Sequence, residues 1–433
     1  MTSRVDVAVL GAGPAGAAVA RRLAAAGVAV AVVTGPAPAP AREGYSRRTV
    51  ERLRAEGLDE VLATLAGPVA RDGRWGERRV DGLEWLADRA EVATALARSL
   101  ARAGVRCVAG PATRVARSAT GFAVESGAGR VEAPLVVDAR GRRGPQSRGP
   151  LLLALGRRHA LATGRPGTRI APWSRGWCWL ADDGEQVFVQ LVGAARGAER
   201  PPGWFAAAAA EVDGLAAILA APPAGALIAR PAHARLGRAS PDPGLWRVGD
   251  AALALDPLSG QGAYEALRGA TAVAAALATV LEGGDAALAA RFVADRYRDA
   301  WSRAVATAAG FYDELAGRGP FWADTAAAYR ALAAPIAAGP PRVERRPVLE
   351  QGRIRERAVL VTASAPRGAW QVAGVPLVAL LELARDAAPA APAVLDAARR
   401  LDRPPPAIEQ ALGWLRASGA LAAPRGASLS SGV

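Results

Sequence analysis

The stretch VDVAVLGAGPAGAAVARRLAAAGVAVAVVTG, residues 5–35, constrains the fold more than any other part of the chain. Val5, Val7, Val9 and Leu10 predict a short apolar strand. Gly11, Gly13 and Gly16 follow in GxGxxG spacing. In that pattern the first glycine permits a tight turn, the second lets the backbone approach a pyrophosphate, and the third lets the helix pack closely on the strand. The helix runs from Pro14 through Ala15 to about Ala26, with proline tolerated in its first turn, and Gly27 ends it. Its free N–H groups and positive dipole end suit phosphates. A lone GxGxxG is weak evidence, but this one has the right strand before it and the right helix and strand after it. The second strand, VAVAVV, ends in Thr34 where an Asp or Glu would bind ribose hydroxyls in two places. A threonine hydroxyl makes one such bond. The basic start and small-residue end of residues 4–20 mimic a secretory signal, but glycines and Pro14 interrupt the apolar run.

With 433 residues, two or three domains of roughly 150 residues each are expected. The net charge is +14, yet the chain holds no lysine and no asparagine, so all 54 basic residues are arginine. They are spread along the whole chain, which argues for a composition bias and against a nucleic-acid partner. Cys107 and Cys178 lack metal-ligand spacing, and His159 and His233 are too few for a histidine metal site. Two reduced thiols fit a cytoplasmic protein. Pro and Gly break the remaining apolar stretches, so no membrane span is expected.

Residues 249–262, GDAALALDPLSGQG, form a second signal. A strand, LWRVGD, delivers the Asp250 carboxylate. The following loop carries one acid, Asp256, in an otherwise uncharged run, then Pro257, Gly260, Gln261 and Gly262. Gly260 and Gly262 allow close backbone approach, and a helix starting near Gly262 would aim its N–H groups at negative charge. Together with GAGPAG, this pattern resembles the FAD-dependent monooxygenases of the tryptophan-halogenase-like and geranylgeranyl-reductase-like group. The resemblance covers residues 1–330. It implies FAD as cofactor, with Asp250 on a ribityl hydroxyl. It implies that REGYSRRTVERLRAEGL (42–58) brings an arginine, Arg42, to the cofactor, and that Arg89 before a helix lies near the flavin's phosphate or ribityl chain. It also implies that LVVDARGRRG (135–144), with Asp138, carries the chain back past the FAD.

The middle segment changes character. RGWCWLADDGEQVFVQLVG alternates and carries a polar turn, which predicts a hairpin in a mostly antiparallel sheet. Trp177 and Trp179 share one strand face and serve either as core or as the wall of an aromatic-binding pocket. WCWLAD is similar to the WxWxIP segment of the flavin-dependent halogenases, without its Ile-Pro, and FYDELAGRGPFWADTAAAYR resembles their FY…FW region. Halogenation in that group depends on a lysine, and this chain has none. The resemblance therefore implies a non-halogenating relative, in which reduced FAD and O2 give a flavin hydroperoxide that hydroxylates an electron-rich aromatic substrate.

PIAAGPPRVERRPV, residues 335–348, reads as a linker. Beyond it lie three expected helices and a final strand, with Ile408, Leu412 and Leu415 on one helical face. This part resembles a winged helix. Residues 345–433 hold 12 arginines and 7 acids, but the third helix, 406–418, sets only Arg416 against Glu409. That is poor equipment for DNA. The expected fold is α/β: a doubly wound, glutathione-reductase-like FAD-binding domain (1–150 and 241–334), an inserted β-rich substrate domain (151–240 with part of 60–90), and a C-terminal winged-helix-like domain (345–433). A fused docking module implies a large substrate, as for the flavoprotein monooxygenases that hydroxylate a peptide-borne tryptophan in tryptophylquinone cofactor assembly. NAD(P)H or a flavin reductase would supply electrons. An FAD-dependent reductase of the geranylgeranyl-reductase type and a flavin-binding DNA regulator stand as alternatives.

Overall fold

A computed structural model describes residues 2–142, 146–195, 203–238, 240, 242–333, 339–386 and 394–421. The chain divides into two compact units, Met1–Ala278 with Arg296–Ala333, and Thr279–Asp295 with Ala334–Val433.

The first unit is built on a five-stranded parallel sheet in the order Leu245–Arg247, Leu135–Asp138, Val7–Leu10, Val30–Val33, Arg106–Val108. Its three central strands are buried at every residue, as a sheet covered on both faces requires. Ala8, Leu10, Ala31, Val33 and Val136 pack against Phe122, Val124, Val131 and Ala133 of a four-stranded sheet. Helix Pro14–Ala25 packs against Val7–Leu10 and Val30–Val33. Leu10, Asp138 and Arg247 are paired neighbours at the carboxyl ends of adjacent strands. Chain segments more than 230 residues apart therefore emerge side by side at one sheet edge, where such folds bind their ligands.

A nine-stranded sheet is mostly antiparallel. Its order is Ile228–Pro231, Leu152–His159, Val187–Ala194, Gly176–Asp182, Gly167–Trp173, Ala66–Trp75, Gly82–Asp88, Arg42–Ser46, with Arg78–Arg79 paired to Ala66–Trp75. One junction, between Gly167–Trp173 and Ala66–Trp75, is parallel. The strand carrying Arg42 thus belongs to this sheet and not to the parallel one, because its partner is Gly82–Asp88. On one face Leu155, Cys178, Leu180, Val189 and Leu191 pack under helices Gly203–Glu211 and Leu215–Ala220. The other face carries Trp177, Trp179, Phe188, Gln190 and Arg230, as the pairing registers require.

In the second unit the stretch expected to be a linker is partly strand. Arg342–Glu350 pairs along its whole length with Arg353–Val361, and residues 334–338 lie outside the description. Proline content concealed the strand. Pro347 is tolerated because, among the described residues, this ladder has only two strands, so a missing N–H breaks no third-strand bond. Val348, Val359 and Val361 close on Trp370. Helices Leu377–Asp386, Val394–Leu401 and Pro405–Ala417 then share a core of Leu377, Leu380, Leu381, Ala397, Ile408, Leu412 and Leu415. The final strand expected after them falls beyond Leu421, outside the described residues. No helix of the described residues is long and apolar enough to cross a membrane.

Candidate functional site

The three glycines of the first fingerprint lack side chains for different reasons. Gly11 has φ +107°, and a Cβ there would lie 2.6 Å from the Ala139 carbonyl oxygen. A Cβ on Gly16 would lie 2.1 Å from the Gly11 carbonyl oxygen. Protein packing alone forbids both. At Gly13 nothing lies within 4 Å of the Cβ position, and φ is −69°. No protein atom requires a glycine there. The space in front of helix Pro14–Ala25 is open there, and that helix end has no side-chain cap. An uncapped helix end beside an open space is what a pyrophosphate needs.

The second fingerprint meets the first. Gly249 has φ +61°, and a Cβ on it would lie 2.8 Å from the Ala15 methyl group. Asp250 follows, two-fifths exposed, with Arg142 Nε donating to its Oδ2 at 3.2 Å. Arg142 is itself fixed by the carbonyls of His233 at 2.7 Å and Leu255 at 3.3 Å. Asp250 thus presents a held carboxylate with capacity for a hydroxyl group. Asp138 differs: Arg140 Nε and Nη2 take its two oxygens at 2.9 and 3.0 Å, and the Arg140 N–H adds a third bond at 3.1 Å. Its carboxylate shapes the loop after its own strand. The Thr34 hydroxyl donates a hydrogen bond to the Val108 carbonyl oxygen at 3.3 Å.

Arg42 pairs with Asp183 across the nine-stranded sheet. Arg89 pairs with Glu43 at 3.1 Å. Arg89 opens helix Arg89–Arg102, whose cap is Asp88, accepting from Ala90 N–H at 2.8 Å. Burial opposes the charge on Asp88, but the bonds from Arg158 and from backbone N–H groups outweigh it and hold this carboxyl below its ordinary value.

The loop at Asp256 has an unexpected anchor. Asp256 is 4% exposed. Its Oδ1 accepts from the Leu258 N–H at 3.0 Å. Its Oδ2 accepts from Tyr312 at 3.1 Å and Tyr329 at 2.7 Å. Trp177 in turn donates its indole N–H to the Tyr312 oxygen at 3.2 Å. Burial raises the Asp256 carboxyl above its ordinary value, although the hydrogen bonds oppose the shift. Burial and the facing carboxylate raise both tyrosines, so they remain donors. The loop then turns through Pro257–Ser259, with Gly260 at φ +60°, into helix Gly262–Leu281. The Cβ positions of Gly260 and Gly262 meet nothing within 4 Å, and the Gln261 N–H is held by Ser259 Oγ at 3.3 Å.

Trp177, 2% exposed, is therefore part of a buried polar chain. Trp179 is only partly buried and meets Phe188 edge-on at 6.3 Å. Of the two, Trp179 alone keeps an accessible flank. Tyr312 and Tyr329 stack at 5.7 Å, and Trp322 and Phe321 complete an aromatic block with Trp75. Sequence reasoning missed both tyrosines. The available signal was Asp256, a buried acid that needed donors, in a chain with only five tyrosines.

The FAD binding domain family matches residues 4–144. No curated protein is significantly similar in sequence. Among solved structures, the chain is similar to the peptidyl tryptophan dihydroxylase QhpG, essential for tryptophylquinone cofactor biogenesis: 31% identity over 97% of this chain and 100% of that one, TM-score 0.82. It shares the fold of the flavin-dependent halogenase CmlS, at 18% identity over 96% and 95% of the two chains, TM-score 0.73. It also shares that of PqsL from P. aeruginosa, at 20% identity over 73% and 99%, TM-score 0.57.

Proposed function

The chain belongs to the FAD-dependent monooxygenases, and on that premise we propose that it hydroxylates an electron-rich aromatic ring carried on a peptide, with tryptophan as the target. One observation carries this reading: the match to a peptidyl tryptophan dihydroxylase, 31% identical overall, covers 97% of the chain and so spans both units and not the FAD-binding part alone. NAD(P)H or a separate flavin reductase supplies the electrons, and O2 is the second substrate.

FAD, when bound, supplies the activation of oxygen; the remaining tasks fall to the chain. In this reading the open space at Gly13 and the uncapped helix end take the pyrophosphate. Asp250, steadied by Arg142, would accept a hydrogen bond from a ribityl hydroxyl. The N-terminus of helix Gly262–Leu281 would offer its N–H groups and dipole to negative charge on a bound flavin. Asp256 positions this loop from behind, through Tyr312 and Tyr329. The aromatic block around Trp322 and Trp75 keeps water from that side. Trp179 offers an apolar wall to the substrate ring.

The test is oxygen consumption by the reduced holoenzyme with and without a tryptophan-containing peptide. Faster oxygen uptake with a hydroxylated peptide as product is expected. Reduction of an alkene with no oxygen uptake would favour the reductase reading instead.

A further inference from the structure

Arg230 lies on the edge strand Ile228–Pro231, opposite Ala154, while its neighbour Ile228 is opposite Gly156. Gly156 is opposite Gln190, and Gln190 is opposite Trp179. Directly opposed residues share a face, so Arg230 stands on the same face as the accessible tryptophan. Its Nη2 donates to Gln190 Oε1 at 2.8 Å, and Gln190 is 7% exposed. A buried neutral amide thus fixes the guanidinium without neutralising it.

None of the surrounding charges pairs directly with Arg230. Arg89, Glu43, Arg142 and Asp250 are close enough to act on it. Glu43 is already paired with Arg89 at 3.1 Å, and Asp250 with Arg142 at 3.2 Å. Each of these two carboxylates thus already has a guanidinium partner of its own. Among the described residues no carboxylate lies within salt-bridge distance of Arg230. Burial, and then the like charge of Arg89, lower its proton affinity, yet a guanidinium stays charged in proteins. A half-buried fork held at one nitrogen and open at the others is a receptor for a planar anion.

We infer that Arg230 recognises a carboxylate on the substrate, borne by an acidic residue beside the aromatic ring to be oxidised. The cofactor's phosphates are the other possible source of an anion. They already have the helix end at Gly13, whereas Arg230 shares its face with Trp179. The inference rests on the proposed reading for the identity of the ring, and not for the anion.

The probe pair is indole-3-propionate and indole-3-propionamide, titrated into the holoenzyme and followed by the absorbance of its bound flavin. The acid should bind about tenfold more tightly than the amide, the scale of one charged hydrogen bond. Arg230→Gln should abolish that preference, leave amide binding and flavin affinity unchanged, and raise KM more than it lowers kcat for a Glu-Trp peptide. Arg230→Lys should restore part of the preference. Failure of the acid to bind, equal affinities, or a preference that survives Arg230→Gln overturns the inference. So does flavin loss in the folded Arg230→Gln variant, which would assign the anion to FAD. A holoenzyme that prefers the acid but hydroxylates no tryptophan peptide would refute the proposed function and leave Arg230 as an anion site.

Discussion

At Gly16 the missing side chain serves the fold, while at Gly13, where a Cβ meets nothing, the proposed reading has it serve the cofactor. Gly13→Glu should therefore give an apoprotein of normal thermal stability that binds no FAD, because the new carboxylate enters open space where a pyrophosphate belongs. Gly16→Ala should instead cost about 1–3 kcal/mol of stability by overpacking, read as a lower denaturation midpoint before any flavin is added. Removing one donor from the buried Asp256, as in Tyr329→Phe, should cost roughly 1.5–3 kcal/mol. Asp256 also has a pH signature. Burial raises its carboxyl, so the native chain holds the proton more tightly than the unfolded chain. Its contribution to stability is full below the ordinary carboxylate range, and is lost as pH rises through the raised native value. Unfolding measured from about pH 4 towards neutrality should show the wild type losing stability relative to Asp256→Asn. A constant difference over that range would mean that the tyrosines fully offset burial.

The elements that build the cradle differ in how far the sequence disclosed them. The strand–helix unit after Val7 was readable because its glycines, apolar strand and proline are local and mutually consistent. Leu245–Arg247 with Asp250 was readable for the same reason, and its insertion beside Leu135–Asp138 explains why its motif stands so far downstream. Asp250→Ala should weaken FAD binding by roughly 1.5–3 kcal/mol, measured by flavin titration, while unchanged affinity would leave Asp250 a partner of Arg142 only. Strand alternation put Trp177 and Trp179 on one face, but it could not tell depth, which depends on Tyr312 arriving from a helix more than a hundred residues later. The closure of Asp138 by Arg140 was hidden in a side-chain choice within a loop. Arg342–Glu350 was hidden by its prolines, since its partner Arg353–Val361 is what makes it a strand.

Across the whole molecule, every residue proposed to hold FAD lies in the first unit, and the second unit has a core of its own. A chain ending at Ala333 should keep FAD and oxygen reactivity and lose turnover of peptide substrates. It should also lose some thermal stability, because Thr279 and Glu282 are deprived of Ile354 and Arg353. Helix Pro405–Ala417 sets Arg416 against Glu409, so the second unit should show no sequence-dependent DNA binding at physiological salt. Oxygen insertion into a peptide-borne aromatic ring can be measured directly. A tryptophan peptide is turned over by the reduced holoenzyme under isotopically labelled O2, and the product is sequenced by mass spectrometry. Labelled oxygen on the indole of the tryptophan is expected. Consumption of oxygen with release of hydrogen peroxide alone, while the peptide returns unmodified, would contradict it.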